Sequence, residues 1–180
     1  LSPGSLTNAS GAVLALETGG SVRRNGGAAA DNVLDNHGTL TVTGGNSTVS
    51  SVTVSGQAPG VWMTAAGSSL RFDDVLFSGV INGDHDGTTT MVGACGLAGN
   101  AELRTEPGSN PWGCSSATIN TGGFTLTNTG WLRFDSGLNK FITGTAVNAA
   151  SGVWSIAEGD LYFVPGGSPT TISSSGLVEV

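Results

Sequence analysis

A single lysine, Lys140, serves the whole 180-residue chain, and charged residues make up only 11% of it, against about 25% in ordinary soluble domains. With six Lys and Arg set against 13 Asp and Glu, the formal net charge is −7 and the isoelectric point about 4.4. Nucleic-acid backbones are gripped by clustered cations, so this balance argues against a nucleic-acid partner. The one basic doublet, Arg23–Arg24, reads as a solvated loop. No apolar run approaches the ~20 residues that a membrane-spanning helix needs. The opening LSPGSLTN shows neither the basic start of a secretion signal nor an initiator Met. The chain is therefore expected to be a segment of a longer or processed protein.

What the sequence holds instead is 30 glycines and an abundance of Ser and Thr. Such a surface is coated with hydroxyls and amides rather than ions. Disordered chains combine low hydrophobicity with high net charge, whereas here the mean hydropathy is +0.12 and the apolar residues are patterned. A chain of this length can bury a real core. The two cysteines, Cys95 and Cys114, are expected to form a disulfide, worth roughly 3 kcal/mol in the chain-entropy model. Two free thiols are the alternative; a Ser/Thr/Gly-rich, Lys-poor chain favours the bridge because it suggests an extracellular setting. Two Cys at this spacing with no nearby His pair do not make a zinc site. No metal and no cofactor is expected.

The pattern has one recurring phrase: Asn, any residue, Gly, any residue, apolar, any residue, apolar. It occurs at Asn36, Gly38, Leu40 and Val42, and twice in succession within NTGGFTLTNTGWLRFD, at Asn120–Leu126 and Asn128–Phe134. Asn and Gly suit a tight bend because both tolerate positive φ. The alternating apolar pair marks a half-buried strand. Shortened forms follow at Gly152 (Trp154, Ile156), Gly159 (Leu161, Phe163) and Gly176 (Val178, Val180). The pairs Gly122/Gly130 and Gly152/Gly159 lie about 30 residues apart, a period typical of solenoid coils. Stacked coils with short strands and small residues at the corners predict an all-β fold, a parallel β-solenoid over residues 1–180. Turns every 8–12 residues leave a β-sandwich as the alternative.

The phrases NHGTLTVTGGN, NTGGFTLTNTGWLRF and SSSGLVEV resemble the coils of right-handed parallel β-helices. The likeness is to the passenger domains of bacterial autotransporters and related surface adhesins, over about 34–77 and 119–180. It implies a secreted or cell-surface module, extracellular and without catalytic residues carried over. Tailspikes and pectate-lyase-like enzymes share the same texture.

Between about 82 and 118 the phrase stops, and the stretch is expected to be a long loop insertion held by the disulfide. Loops on a rigid scaffold concentrate binding residues, so the candidate site falls here. Asp84, His85 and Asp86 before Gly87 resemble the start of a calcium loop, but position twelve is Cys95 rather than Glu, and a solvated acidic turn is the better reading. His85 is a candidate general base without a demonstrable nucleophile. Glu102, Arg104 and Glu106 alternate, which in a strand places all three on one face, for a sugar or for an ion-pair array. Among the tryptophans, Trp112 is expected to pack the loop down, Trp154 to be core, and Trp62 and Trp131 to face outward, where they can stack on sugars. Asp73 and Asp74 are expected at a coil corner. Three functions remain open: a non-catalytic structural or adhesive module meeting a host surface or glycan, a glycan-binding or glycan-cleaving β-helix, and a filament subunit. The last follows from SSSGLVEV, a strand phrase that leaves the final coil to meet more chain or another copy end to end.

Overall fold

The computed structural model describes residues 4–136, 138–164 and 171–180. Among them the chain winds through about seven turns of a parallel β-solenoid, as the repeated phrase predicts. The first three turns carry three short strands each: β1 (Gly4–Asn8), β2 (Val13–Glu17) and β3 (Ser21–Arg23), then β4 (Asn32–Asn36), β5 (Thr39–Thr43) and β6 (Asn46–Ser50), then β7 (Thr53–Gly56), β8 (Val61–Thr64) and β9 (Ser69–Asp73). The next strands run on through the corners: β10 (Leu76–His85), β11 (Thr88–Thr105) and β12 (Trp112–Asn128). Shorter strands complete the stack: β13 (Trp131–Phe134), β14 (Lys140–Asn148), β15 (Val153–Ile156), β16 (Leu161–Val164), β17 (Ile172–Ser174) and β18 (Leu177–Glu179). The pairings are parallel from end to end, from β1 on β4 to β15 on β18. A sandwich, which is built of antiparallel strands, is set aside. No helix among the described residues is long and apolar enough to cross a membrane.

The expected loop insertion at about 82–118 is instead mostly wall. Residues 76–85, 88–105 and 112–128 are strand, and they pair in register with the coils on either side. The pattern fades there because small residues fill the inward slots: Cys95, Ala101 and Ala117 are all buried. The coil is also shorter than expected. Stacked residues lie 20 apart at Asp35 and Ser55 and at Asn128 and Asn148, and 28 apart at Asn8 and Asn36.

Gly122 and Gly159 take the expected positive φ, of 58° and 69°, but the Asn and the other Gly of the phrase do different work. None of the phrase's Asn residues has positive φ. Instead Asn8, Asn36, Asn128 and Asn148 are buried at one corner and bonded from coil to coil. Asn8 Nδ2 donates to Asn36 Oδ1 at 2.8 Å, and Asn128 Nδ2 to Asn148 Oδ1 at 2.9 Å. Asn148 Nδ2 in turn donates to Ser174 Oγ at 3.1 Å and to the Leu177 carbonyl at 2.9 Å. A buried amide without partners is costly; the ladder supplies partners for the Nδ2 groups of Asn8, Asn128 and Asn148, while Asn128 Oδ1 stays without one. Gly38, Gly130 and Gly152 follow, and their φ values are not positive either. They are needed because a Cβ would run into neighbouring backbone: the carbonyls of Ala9 and Ala12 at Gly38, the Thr105 amide at Gly130, and the Asn128 carbonyl at Gly152.

Inside the stack lies one apolar column running from Leu16 to Trp154. Phe72 is its centre, with ring centroids 5.4 Å from Trp62, 5.6 Å from Phe77 and 5.9 Å from Trp112. The contacts with Trp62 and Phe77 are edge-on and that with Trp112 is tilted, and they add to the large area that each ring removes from water. Trp62, expected to face outward, is fully buried, while its neighbour Met63 takes the exposed side. Trp154 is core, as expected.

The expected disulfide is not formed: both cysteines are free and buried. Cys95 stands in register with Ile119, and Cys114 with Met91 and Phe134, so each belongs to a different strand column. Burial pushes the Cys95 thiol up to about 11 and the Cys114 thiol to about 12. The single lysine is also inside. Lys140 is fully buried, and its Nζ donates to the carbonyls of Ser136 and Glu158 at a corner.

Candidate functional site

Parallel register decides which of the candidate residues meet. Asn82–Gly83 of β10 pairs with Arg104–Thr105 of β11, and Ala101–Leu103 of β11 with Leu126–Asn128 of β12. Side chains alternate along each strand, so Glu102 and Arg104 point out on one side while Ala101 and Leu103 point into the core, and Glu106 is exposed just beyond the end of β11. The one-face arrangement expected of these three holds for Glu102 and Arg104 within the strand, and Glu106 lies just past its end.

They are not three free charges. Arg104 Nε donates to Glu102 Oε1 at 2.8 Å, and Thr129 Oγ1 donates to the same oxygen at 2.7 Å. The Arg104 hydrogen bonds are the main reason the Glu102 carboxyl is held below the usual carboxylate range. Glu106 is exposed, and its Oε1 accepts from Asn82 Nδ2 at 2.5 Å.

The DHDG stretch divides. Asp84 is half-buried and accepts from Ser109 Oγ at 3.0 Å, while Asp86 is exposed at the turn. His85 between them points the opposite way and is fully buried. Its ring meets Trp112 edge-on at 4.5 Å, and neither ring nitrogen has a partner. Burial pulls its pKa down to about 4, with Asp84 opposing. An enclosed neutral imidazole cannot serve as a base toward an outside substrate. Trp112, expected to hold a loop, is likewise a core residue; its Nε1 donates to the Arg104 carbonyl at 2.6 Å. His85 and Trp112 therefore leave the candidate site, and Asp84 and Asp86 lie on a neighbouring strip with Thr41, Thr43 and Met63. Among the described residues no group of three or more His, Cys, Asp or Glu is placed to hold a metal ion. Asp73 and Asp74 do form a corner: Asp74 has φ of 53° and accepts the Ala94 amide at 2.7 Å, and Asp73 pairs with Arg71 at 3.0 Å.

Beside Glu106 lies an open groove of about 370 Å³ that crosses successive coils. Trp131 lies in it and is the exposed one of the four tryptophans, at 36% against 3% or less for Trp62, Trp112 and Trp154. Its outward direction was legible in the sequence; its neighbours were not. Thr105 Oγ1 accepts the Trp131 amide at 2.9 Å, and Ser151 Oγ donates to the Thr129 carbonyl at 3.1 Å. Glu179 of β18 closes the far side. Only the register, in which Trp131 lies on Val153 and Val153 on Leu177, brings these residues together.

Comparison with known proteins finds no family model, no curated protein and no solved structure that matches the chain.

Proposed function

We propose that this protein is a non-catalytic structural and adhesive module of an extracellular or cell surface, in the manner of β-helical bacterial surface adhesins. The observation that carries this reading is the division of the coil. The buried apolar side chains from Leu16 to Trp154 form one continuous core, while the outer face is hydroxyl-, amide- and carboxylate-bearing and opens into the groove at Trp131. A rigid wall of stacked turns offers an extended surface for contact, and repeat architectures characteristically use such surfaces for binding.

Glu102 is unsuited to be the proton donor of a glycan-cleaving pair. Glycoside hydrolysis needs one carboxyl that holds a proton and another that is ionised. Glu102 is kept ionised by Arg104 and Thr129, which is the wrong state for the acid. Beads coated with the purified chain are expected to adhere to surfaces bearing glycans without releasing reducing or unsaturated sugar. Sugar release from a glycan panel would transfer the protein to the glycan-cleaving class.

A further inference from the structure

Resting on the adhesive reading, we propose that the Trp131 groove binds a neutral oligosaccharide chain and discriminates against acidic ones. The platform is Trp131 itself, whose indole stands exposed on a wall whose other three tryptophans are enclosed. An indole face matches the apolar C–H face of a pyranose ring and keeps a polar edge for water or ligand.

Around the platform the polar groups are mostly acceptors. Glu106 and Glu179 bring carboxylates to the groove, and Thr105, Thr129 and Ser151 bring hydroxyls. Asn82 holds the Glu106 carboxylate by one oxygen, leaving the other for a ligand. Thr129 and Ser151 already donate their protons, to Glu102 and to the Thr129 carbonyl, so toward a ligand their oxygens accept. An acceptor-rich groove suits a ligand rich in hydroxyl donors. Among the described residues no Lys or Arg lines the groove: Arg104 is paired with Glu102, and Arg133, two residues along the exposed face of β13 from Trp131, lies outside the lining. A uronate or other acidic sugar would therefore meet two carboxylates and no cation in the groove lining, with a net charge of −7 behind them. Like charges brought together at a site are disfavoured.

The groove also has the shape of a chain site. Its lining comes from segments around residues 105–109, 129–131, 151–153 and 179, which lie on successive coils. Neighbouring coils are about 4.8 Å apart, so the groove extends along the solenoid axis and accommodates a short oligosaccharide rather than one ring.

The test is a titration of the purified chain, followed by tryptophan fluorescence, with gluco- and manno-oligosaccharides and with oligogalacturonate. The neutral probes are expected to bind and shift the emission of Trp131, with oligogalacturonate at least about tenfold weaker. Trp131→Ala is expected to lower neutral-sugar association about tenfold or more, followed by calorimetry. Glu106→Gln is expected to narrow the discrimination against oligogalacturonate; it leaves the core untouched and so guards against a folding effect. Circular dichroism confirms the fold of both variants. Binding by none of the neutral probes, undiminished binding by Trp131→Ala, or equal binding of oligogalacturonate would overturn the proposal. If coated beads still adhere in that case, only the groove assignment falls; if they do not, the adhesive reading falls with it.

Discussion

Asn128 donates from Nδ2 to Oδ1 of Asn148 at 2.9 Å, and both side chains are fully buried one coil apart. Asn148 passes the contact on to Ser174 and to the Leu177 carbonyl. Replacing Asn148 by Leu removes an acceptor and a donor from the corner; Asn128 Nδ2 keeps the Gly130 and Val153 carbonyls, and Ser174 and Leu177 are exposed to water. The expected loss is about 2 kcal/mol, from three lost hydrogen bonds whose partners keep other acceptors or meet water. Asn120→Ala, at an exposed position where Asn120 Oδ1 accepts only the Gly122 amide, is expected to cost about 1 kcal/mol or less. Urea unfolding of the two variants checks the difference.

Gly130 and Gly67 separate two reasons for glycine. Gly130 lacks positive φ, yet a Cβ there would collide with the Thr105 backbone. Gly67 has φ of 74° and open space around it. Gly130→Ala is expected to destabilise by about 2–3 kcal/mol through overpacking, and Gly67→Ala by about 1 kcal/mol through the left-handed backbone alone. Equal losses in thermal unfolding would contradict this distinction.

His85 makes the fold acid-sensitive. Below about pH 6.5 the unfolded chain takes up a proton that the folded chain refuses until about pH 4. Stability is therefore whole above that window and declines as pH falls across it. The loss is on the order of 3 kcal/mol when the window has been crossed. The urea midpoint is expected to fall between pH 7 and pH 4.5 in the native sequence and to stay nearly level in His85→Phe, measured under the same conditions.

Cys95 and Cys114 are buried thiols held protonated at neutral pH. Reactivity follows thiolate content and access, and both are low here. A thiol reagent is expected to leave the folded chain unmodified and to titrate two thiols in denaturant, without prior reduction. The absence of titratable thiol in unreduced, denatured chain would restore the disulfide.

Much of the fold was legible because the phrase Asn36, Gly38, Leu40, Val42 states its own alternation, and the copies at Asn36 and Asn128 obey it, whereas Phe124, Phe163 and Val178 occupy its apolar slots and are exposed. The stretch from 82 to 118 was opaque for a physical reason. Inside a narrow coil, Ala101, Cys95 and Ala117 fill inward positions as well as Leu does elsewhere, and small residues leave little contrast with the Thr and Gly on the outside. Trp62 was misread because Val61 and Met63 flank it, and three apolar residues in a row do not say which side is in. His85 was misread because a titratable residue was assigned to the surface by its chemistry, whereas alternation within β10 sends it inward between Asp84 and Asp86. The candidate groove was the least legible feature. Its parts lie more than 20 residues apart, and only a known register unites them.

That register is therefore the claim on which the rest depends, and cross-linking tests it directly. Arg133 of β13 lies beside Ser155 of β15, and Ser155 beside Glu179 of β18. Adjacent strands lie about 4.8 Å apart, within the usual Cα range of a disulfide, whereas two intervals exceed its limit of about 7 Å. In a chain carrying Arg133→Cys and Ser155→Cys, mild oxidation is expected to link the two positions rapidly, as read by peptide mass spectrometry. In a chain carrying Arg133→Cys and Glu179→Cys, no intramolecular link is expected. A link in the second chain, or none in the first, would contradict the stacked register and with it the groove at Trp131.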